Sequence, residues 1–252
     1  MKIDLLGVKI DKINFNEVIN RIADFLNSSR QMWIATVNAE IVLLAQKYLQ
    51  FKKVLNEADI STCDGSGPMW ASSFLNKEKL TRATGADLVK NLLEMSRAKN
   101  PLISNAKYFL LGGNEGIAET VAKKYSNSNI VGYNSGGKLH FENNKWILEK
   151  NDKIISEINQ SGANILIVAF GMRKQETWIA QNLKQMPNIN VAIGVGGTLD
   201  FLSGKIKRAP KVFRKLGIEW LYRLIQEPKR FKRIWNAVVV FGFKILIEKF
   251  KK

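Results

Sequence analysis

The chain has 252 residues, 46% of them apolar and 24% charged, which suits one globular domain, or a domain with an appendage, and excludes a disordered or fibrous chain. A single cysteine, Cys63, and a single histidine, His140, exclude an internal disulfide, a multi-cysteine metal site and a histidine-rich zinc centre, and they fit a reducing compartment. The net charge of +17 is uneven: residues 205–252 hold 15 Lys and Arg against three Glu, so the tail calls for an anionic partner, whether nucleic acid, phospholipid headgroups or a phosphorylated ligand.

The start, Met1-Lys2-Ile3-Asp4-Leu5-Leu6, has neither the long apolar core nor the small-residue cleavage site of a signal peptide. No window offers the roughly 20 apolar residues that span a bilayer, and the longest run, Ala237–Ile247, is interrupted by Lys244. The reading is a cytosolic protein whose membrane contact is peripheral.

In chain order, residues 3–10 read as a small hairpin. Helical patterns follow at 15–28, 39–56, 67–75, 85–98, 115–125, 144–160 and 173–185. Among them lie near-continuous apolar runs at Trp33–Val37, Asp59–Thr62, Lys107–Leu111, Ile165–Phe170 and Val191–Val195, rich in β-branched residues as strands buried on both faces are. This alternation predicts an α/β fold, a Rossmann-like parallel sheet with helices on both faces, over residues 1–204. Beyond Gly204, Pro210 and Pro228 stand where helix starts accept proline, predicting helices at 211–226 and 229–250 and making 205–252 a basic amphipathic helical appendage. Val212, Leu216, Trp220 and Leu224 form an apolar stripe on the first of these.

Ligands of open parallel sheets bind beyond the carboxyl ends of the strands, which selects five turns for inspection. Asp64, in Cys63-Asp64-Gly65-Ser66-Gly67, is the sharpest candidate: the small residues after it let a ligand approach its carboxylate, although it also reads as the N-cap of the next helix. Cys63 reads as a packed small residue and His140 as incidental in a polar loop. Gly112, Gly113 and Gly116 read equally as a tight turn. Gly194, Gly196 and Gly197, at a helix start, favour anion binding through free backbone N–H groups; neither glycine run has the dinucleotide spacing. Asp200 reads as a ligand contact or a structural cap, and Arg82 as a phosphate clamp or a solvated turn residue.

These turns together resemble the WecG/TagA/CpsF family of bacterial glycosyltransferases over nearly the whole chain. The pieces that carry the resemblance are Thr36-Val37-Asn38-Ala39-Glu40, Asp64-Gly65-Ser66-Gly67, Arg82 with Gly85 and Asp87, Gly171 with Lys174-Gln175-Glu176, and Gly194-Val195-Gly196-Gly197 with Asp200. Gly204-Lys205, Arg208-Ala209-Pro210, Gly217-Ile218-Glu219-Trp220, Arg223, and Glu227-Pro228 with Arg230 and Arg233 extend it through the tail. Two departures stand out: Val37 and Met172-Arg173 occupy positions where the family commonly has proline-containing sequence. Arg173 adds charge beside the expected site and points to a different donor sugar.

The resemblance implies inverting transfer with no metal or other cofactor, moving N-acetylmannosamine from UDP to N-acetylglucosaminyl-diphospho-undecaprenol in teichoic acid or surface polysaccharide synthesis. The chain has no Asp-x-Asp metal-holding motif. Asp64 is then the general base. Thr36, Asn38 and Gln175 position sugar, Arg82 lies near the phosphates, and Arg223, Arg230 and Arg233 meet the lipid diphosphate or the leaving group. Other donors, UDP-glucose or UDP-N-acetylmannosaminuronic acid, remain open, the latter served by an extra cation at Arg173 or Lys174.

The tail's aromatic residues, Trp220, Tyr222, Trp235, Phe241 and Phe243, with the Val238–Val240 run, favour an anionic membrane surface over nucleic acid, placing the protein peripherally on the cytoplasmic face of the bacterial membrane. Apolar tail surface would also support a homo-oligomer in solution. The competing classes are a nucleic-acid-binding protein, which would not need Asp64 or Gln175, and a UDP-sugar sensor, which would bind donor without turnover.

Overall fold

The computed structural model describes residues 1–142 and 145–251. Among the described residues there are ten strands, in chain order: β1 (Lys2–Leu5), β2 (Val8–Asp11), β3 (Met32–Val37), β4 (Ile60–Cys63), β5 (Tyr108–Gly112), β6 (Ile130–Asn134), β7 (Leu139–Glu142), β8 (Lys145–Leu148), β9 (Ile165–Ala169) and β10 (Val191–Gly194). Six form one parallel sheet in the order β4-β3-β10-β9-β5-β6, flanked by helices as the α/β reading expects.

The apolar runs alternate between two cores. Along β3, Trp33, Ala35 and Val37 face one side and Met32 and Ile34 the other; along β9, Leu166 and Val168 oppose Ile165 and Ile167. Each strand therefore reads as continuously apolar because each face needs its own half of the residues. The expected hairpin is β1–β2, and it covers the β4 edge: Asp11 accepts a hydrogen bond from Ser61 N–H at 2.8 Å, blunting an otherwise open strand.

Several sequence expectations give way. β6 was not expected, since Gly132 and alternating exposure at Val131 and Tyr133 break any apolar run. The helix expected over 144–160 begins only at Asn151. The residues before it belong to a second antiparallel hairpin, β7–β8, so His140 lies on a strand rather than in a loop. The helix expected over 39–56 is two helices, Ala39–Lys47 and Leu49–Asn56, broken at Tyr48 in extended geometry. A short helix, Thr198–Ser203, follows β10.

The first tail helix also divides, into Lys211–Lys215 and Glu219–Gln226. Gly217 lies between them at φ +74°, and a Cβ there would stand 3.0 Å from Ser66 Cβ, so glycine is demanded both by conformation and by contact. The stripe through Val212 and Trp220 therefore does not run along one helix. Helical geometry continues through Pro228–Arg230, Phe231–Trp235, a π-helical stretch Asn236–Val240 and Phe241–Lys251. Phe241 and Ile245 are fully buried in the same apolar cluster as Ala39, Ala71 and Leu75; Phe241, expected at a membrane face, is core. Phe231, Trp235, Phe243 and Phe250 remain exposed. Among the described residues no helix is long and apolar enough to cross a membrane.

Candidate active site

Asp64 follows β4 at the carboxyl edge of the sheet, its N–H bonded to Val37 O at 2.8 Å. It does not cap the helix it precedes; Gly65 holds that position. Its carboxylate instead accepts from Gly85 N–H, 3.4 Å away at the start of the helix Gly85–Arg97. Burial pushes the Asp64 carboxyl up to about 6, with the charge of Glu219 adding to the rise and Arg223, the Gly85 N–H and Arg82 opposing it. Burial likewise pushes the neighbouring Cys63 thiol up to about 12, so it remains a packed thiol rather than a nucleophile.

Arg82 is held beside Asp64 because its segment pairs with the end of β4, Ala83 N–H donating to Cys63 O at 2.9 Å. Its guanidinium donates to Arg214 O at 2.8 Å and lies 3.9 Å from Glu219. Here the tail meets the sheet domain. Arg208 grips Asp87 with two bonds of 2.6 and 2.8 Å, and Thr84 Oγ1 donates to the same carboxylate. Arg214 lies 3.6 Å from Asp87. Glu219 lies 3.7 Å from Arg208 and 3.9 Å from Arg223.

Three contacts of 3.7 to 3.9 Å are ion pairs without hydrogen bonds. The buried Nε atoms of Arg208 and Arg223 have no acceptor. Four guanidiniums, Arg82, Arg208, Arg214 and Arg223, thus surround Asp87 and Glu219 with donor capacity left over, beside a carboxyl that burial raises to about 6. Such a cluster can hold a phosphorylated group while a proton moves to Asp64.

The turn after β10 is braced from two sides. Thr36 Oγ1 donates to Gly194 O at 2.8 Å, and Gln175 Oε1 accepts from Gly196 N–H at 2.8 Å. Both side chains are buried, and a Cβ on Gly194 would stand 3.1 Å from Gln175 Nε2. The Gly196 N–H expected to be free for an anion is therefore committed. The helix beyond the turn, Thr198–Ser203, spans six residues, which limits its dipole. Asp200 hangs over Gly197, its Oδ1 buried without a hydrogen-bond partner. Burial raises its pKa, against the charges of Lys205 and Arg230.

The remaining expected residues are more dispersed. Asn38 caps the helix Ala39–Lys47 by accepting from Ile41 N–H at 3.0 Å. Arg223 joins the Asp64 cluster and stacks 4.5 Å from the Phe201 ring centre. Arg230 pairs with Glu227 at 2.7 Å. Arg233 binds both oxygens of Glu40, at 3.1 and 2.9 Å. The extra cation at Arg173 has a different use: its guanidinium sits 3.7 Å from the Tyr48 ring centre and 4.7 Å from that of Phe141, while Lys174 lies 5.0 Å from that of Trp146. Both cations face aromatic rings that join the β7–β8 hairpin to the Tyr48 break.

Sequence reasoning gave no site role to Arg208, Arg214, Asp87 or Glu219. The contacts that tie the tail to the sheet domain, Arg208 to Asp87 and Glu219 to Arg82, each span over a hundred positions, and only the motif pieces containing Asp87, Arg208 and Glu219 marked those stretches.

A buried carboxyl beneath a bank of guanidiniums, at the carboxyl edge of a parallel sheet, is the arrangement an α/β group-transfer enzyme acting on a phosphorylated partner would use. The group is a sugar: a family model, "Glycosyl transferase WecG/TagA/CpsF family", matches residues 3–252, and the chain belongs to that family. It is 29% identical over 250 residues to the N-acetylglucosaminyldiphosphoundecaprenol N-acetyl-beta-D-mannosaminyltransferase of Staphylococcus aureus strain MW2, covering 97% of this chain and 92% of that protein. Proteins of the same description from strains NCTC 8325 / PS 47 and COL match to the same extent.

Proposed function

We propose that this glycosyltransferase moves N-acetylmannosamine from UDP to N-acetylglucosaminyl-diphospho-undecaprenol, inverting the anomeric centre without a metal ion, in teichoic acid or surface polysaccharide synthesis. The observation that carries the mechanism is the convergence of Asp64 with Arg82, Arg208 and Arg223; the description shared by the relatives supplies sugar and acceptor. The acceptor hydroxyl attacks the anomeric carbon and passes its proton to the Asp64 carboxylate. The bond from that carbon to the UDP oxygen breaks, and UDP departs with its new negative charge facing the guanidiniums, preorganised donors of the kind that stabilise developing charge. A base titrating at about 6 is largely ionised at neutral pH yet basic enough to accept a proton.

The donor lies along the carboxyl edge, between the β10 turn and Asp64. The lipid acceptor reaches the site from the tail, whose exposed Phe231, Trp235, Phe243 and Phe250 and basic residues suit an anionic membrane surface on the cytoplasmic side. The test is UDP release from UDP-N-acetylmannosamine with a N-acetylglucosaminyl-diphospho-lipid acceptor in EDTA, comparing wild type with Asp64→Asn. Turnover in EDTA that disappears in the variant is expected. Absence of turnover with every UDP-sugar tried, despite donor binding, would leave the sensor reading.

A further inference from the structure

Glu176 is a fully buried carboxyl that this mechanism leaves unused. It sits in the first turn of the helix Lys174–Asn182, just beyond the carboxyl end of β9. Its Oε1 accepts from Gln175 Nε2 at 2.8 Å, while its Oε2 is buried with no hydrogen-bond partner. The other end of the Gln175 amide, Oε1, accepts from Gly196 N–H at 2.8 Å. Carboxyl, amide and backbone N–H therefore form one chain of bonds that ends in the turn after β10.

The direction of that chain is fixed by chemistry. A backbone N–H can only donate, so Gly196 requires the oxygen of the Gln175 amide. A carboxyl oxygen facing the other end of the amide requires its NH2. Remove the carboxyl and the amide loses the acceptor that holds it in this sense; a buried amide NH2 without a partner would turn toward Gly194 O or draw in water. Gly194 has no side chain to block such movement, and its Cα is already packed against Gln175. Burial pushes the Glu176 carboxyl up to about 7, against the Gln175 amide and the backbone N–H groups of Glu176 and Arg173.

We propose that Glu176 is a positioning residue for the transfer reaction, acting through Gln175 to hold the turn Gly194–Gly197 in the shape that receives the donor's UDP group. The inference rests on the UDP-donor reading above. Glu176 touches neither substrate nor reacting atoms; its effect is read in donor affinity.

Calorimetric titration of the full chain with UDP tests it. Glu176→Leu and Gln175→Ala are each expected to weaken UDP binding on the order of tenfold, the scale of one buried hydrogen bond left unmade. The double variant should be no weaker than either single, because both act on one chain of bonds. Glu176→Gln, a neutral isostere that still presents an acceptor to Gln175, should recover affinity to within about threefold of wild type. General structural damage would lower the binding stoichiometry and leave the dissociation constant of the folded fraction alone. If Glu176→Leu does not fold, Glu176→Asp, which retracts the carboxyl from Gln175, takes its place with the same expectation. Unchanged UDP affinity in a folded Leu or Asp variant, or additive losses in the double variant, overturns the proposal. A wild-type chain that binds no UDP overturns the donor reading itself.

Discussion

Arg208 meets Asp87 end-on, its two Nη atoms on the two carboxylate oxygens at 2.6 and 2.8 Å, and so fastens the basic tail to the helix Gly85–Arg97. Bidentate pairing is the strong form of this interaction and cannot be reproduced by lysine. Burial alone would raise the Asp87 pKa, but the Arg208 guanidinium and the Thr84 hydroxyl hold it below its usual value.

Asp87→Asn should loosen the tail. With both partners partly exposed, the loss is about 1–2 kcal/mol, less than the cost of breaking a fully buried pair. Limited proteolysis should then cut near residues 205–210 faster than in wild type. The same bond gives a pH dependence: a depressed carboxylate stabilises the fold above its unfolded pKa, and the contribution fades as pH falls through the folded pKa. Equal proteolysis of variant and wild type at pH 7.5 would show that the pair does not hold the tail.

Asp64 should show itself in both rate and stability. kcat/KM is expected to rise about tenfold per pH unit below about pH 6 and to level off above it. Asp64→Asn should lose about two to four orders of magnitude. The stability sign is opposite to that of Asp87, because folding raises this carboxyl from 3.8 to about 6. Its stabilising contribution is complete below about pH 4 and is lost as pH rises through about 6. At pH 7.5, therefore, Asp64→Asn should melt a few degrees above wild type; a lower melting temperature would mean that Asp64 serves the fold rather than the reaction.

Two tail phenylalanines should separate packing from surface contact. Phe241, 1% exposed, lies in the core, whereas Phe250 is 89% exposed. Phe241→Ala should cost about 3 kcal/mol in denaturant unfolding, and Phe250→Ala less than about 0.5 kcal/mol. Phe250→Ala should nonetheless weaken co-sedimentation with anionic phospholipid vesicles. Unaltered vesicle binding in Phe250→Ala together with Phe243→Ala would argue against the exposed aromatic residues as the membrane face.

Arg173→Ala removes a guanidinium from the faces of Tyr48 and Phe141, a loss of about 1–2 kcal/mol. The residue has φ +70°, so Arg173→Gly should recover part of the cost by relieving backbone strain. Neither change should alter the ratio of kcat/KM for neutral and uronic acid donors; a selective loss on the uronic acid would restore Arg173 to the donor site.

Those strands whose two faces are both buried were readable, because β3, β5, β9 and β10 leave near-continuous apolar runs. β6 has one partly exposed edge and a glycine against Phe109, so its pattern carries no such run. Strand β8 was absorbed into an expected helix, since Trp146, Ile147 and Leu148 continue smoothly into the helical spacing that begins at Asn151, and β7 lies in what reads as a polar loop around His140. Asp64 was legible from its small neighbours at a strand end. Arg208 and Glu219 were not legible as site residues, because what gives them their role is a fold that brings them to Asp87 and Arg82, and a run of basic residues looks the same whether it faces solvent or a carboxylate. Thr36 and Gln175 were legible as candidate site residues, but their bonds to Gly194 and Gly196 depend on β10 lying beside β3.

That neighbourhood has a kinetic side. Thr36 and Gly194, joined by a hydrogen bond, are 158 positions apart, so the middle of the sheet closes one of the long loops of the fold. Local hairpins and helices can form early, yet the pairing of β3 with β10 must wait for a large loss of chain entropy. The strands beneath the candidate site should therefore be among the last regions to gain protection in pulsed hydrogen exchange, and activity should return only with the final folding phase.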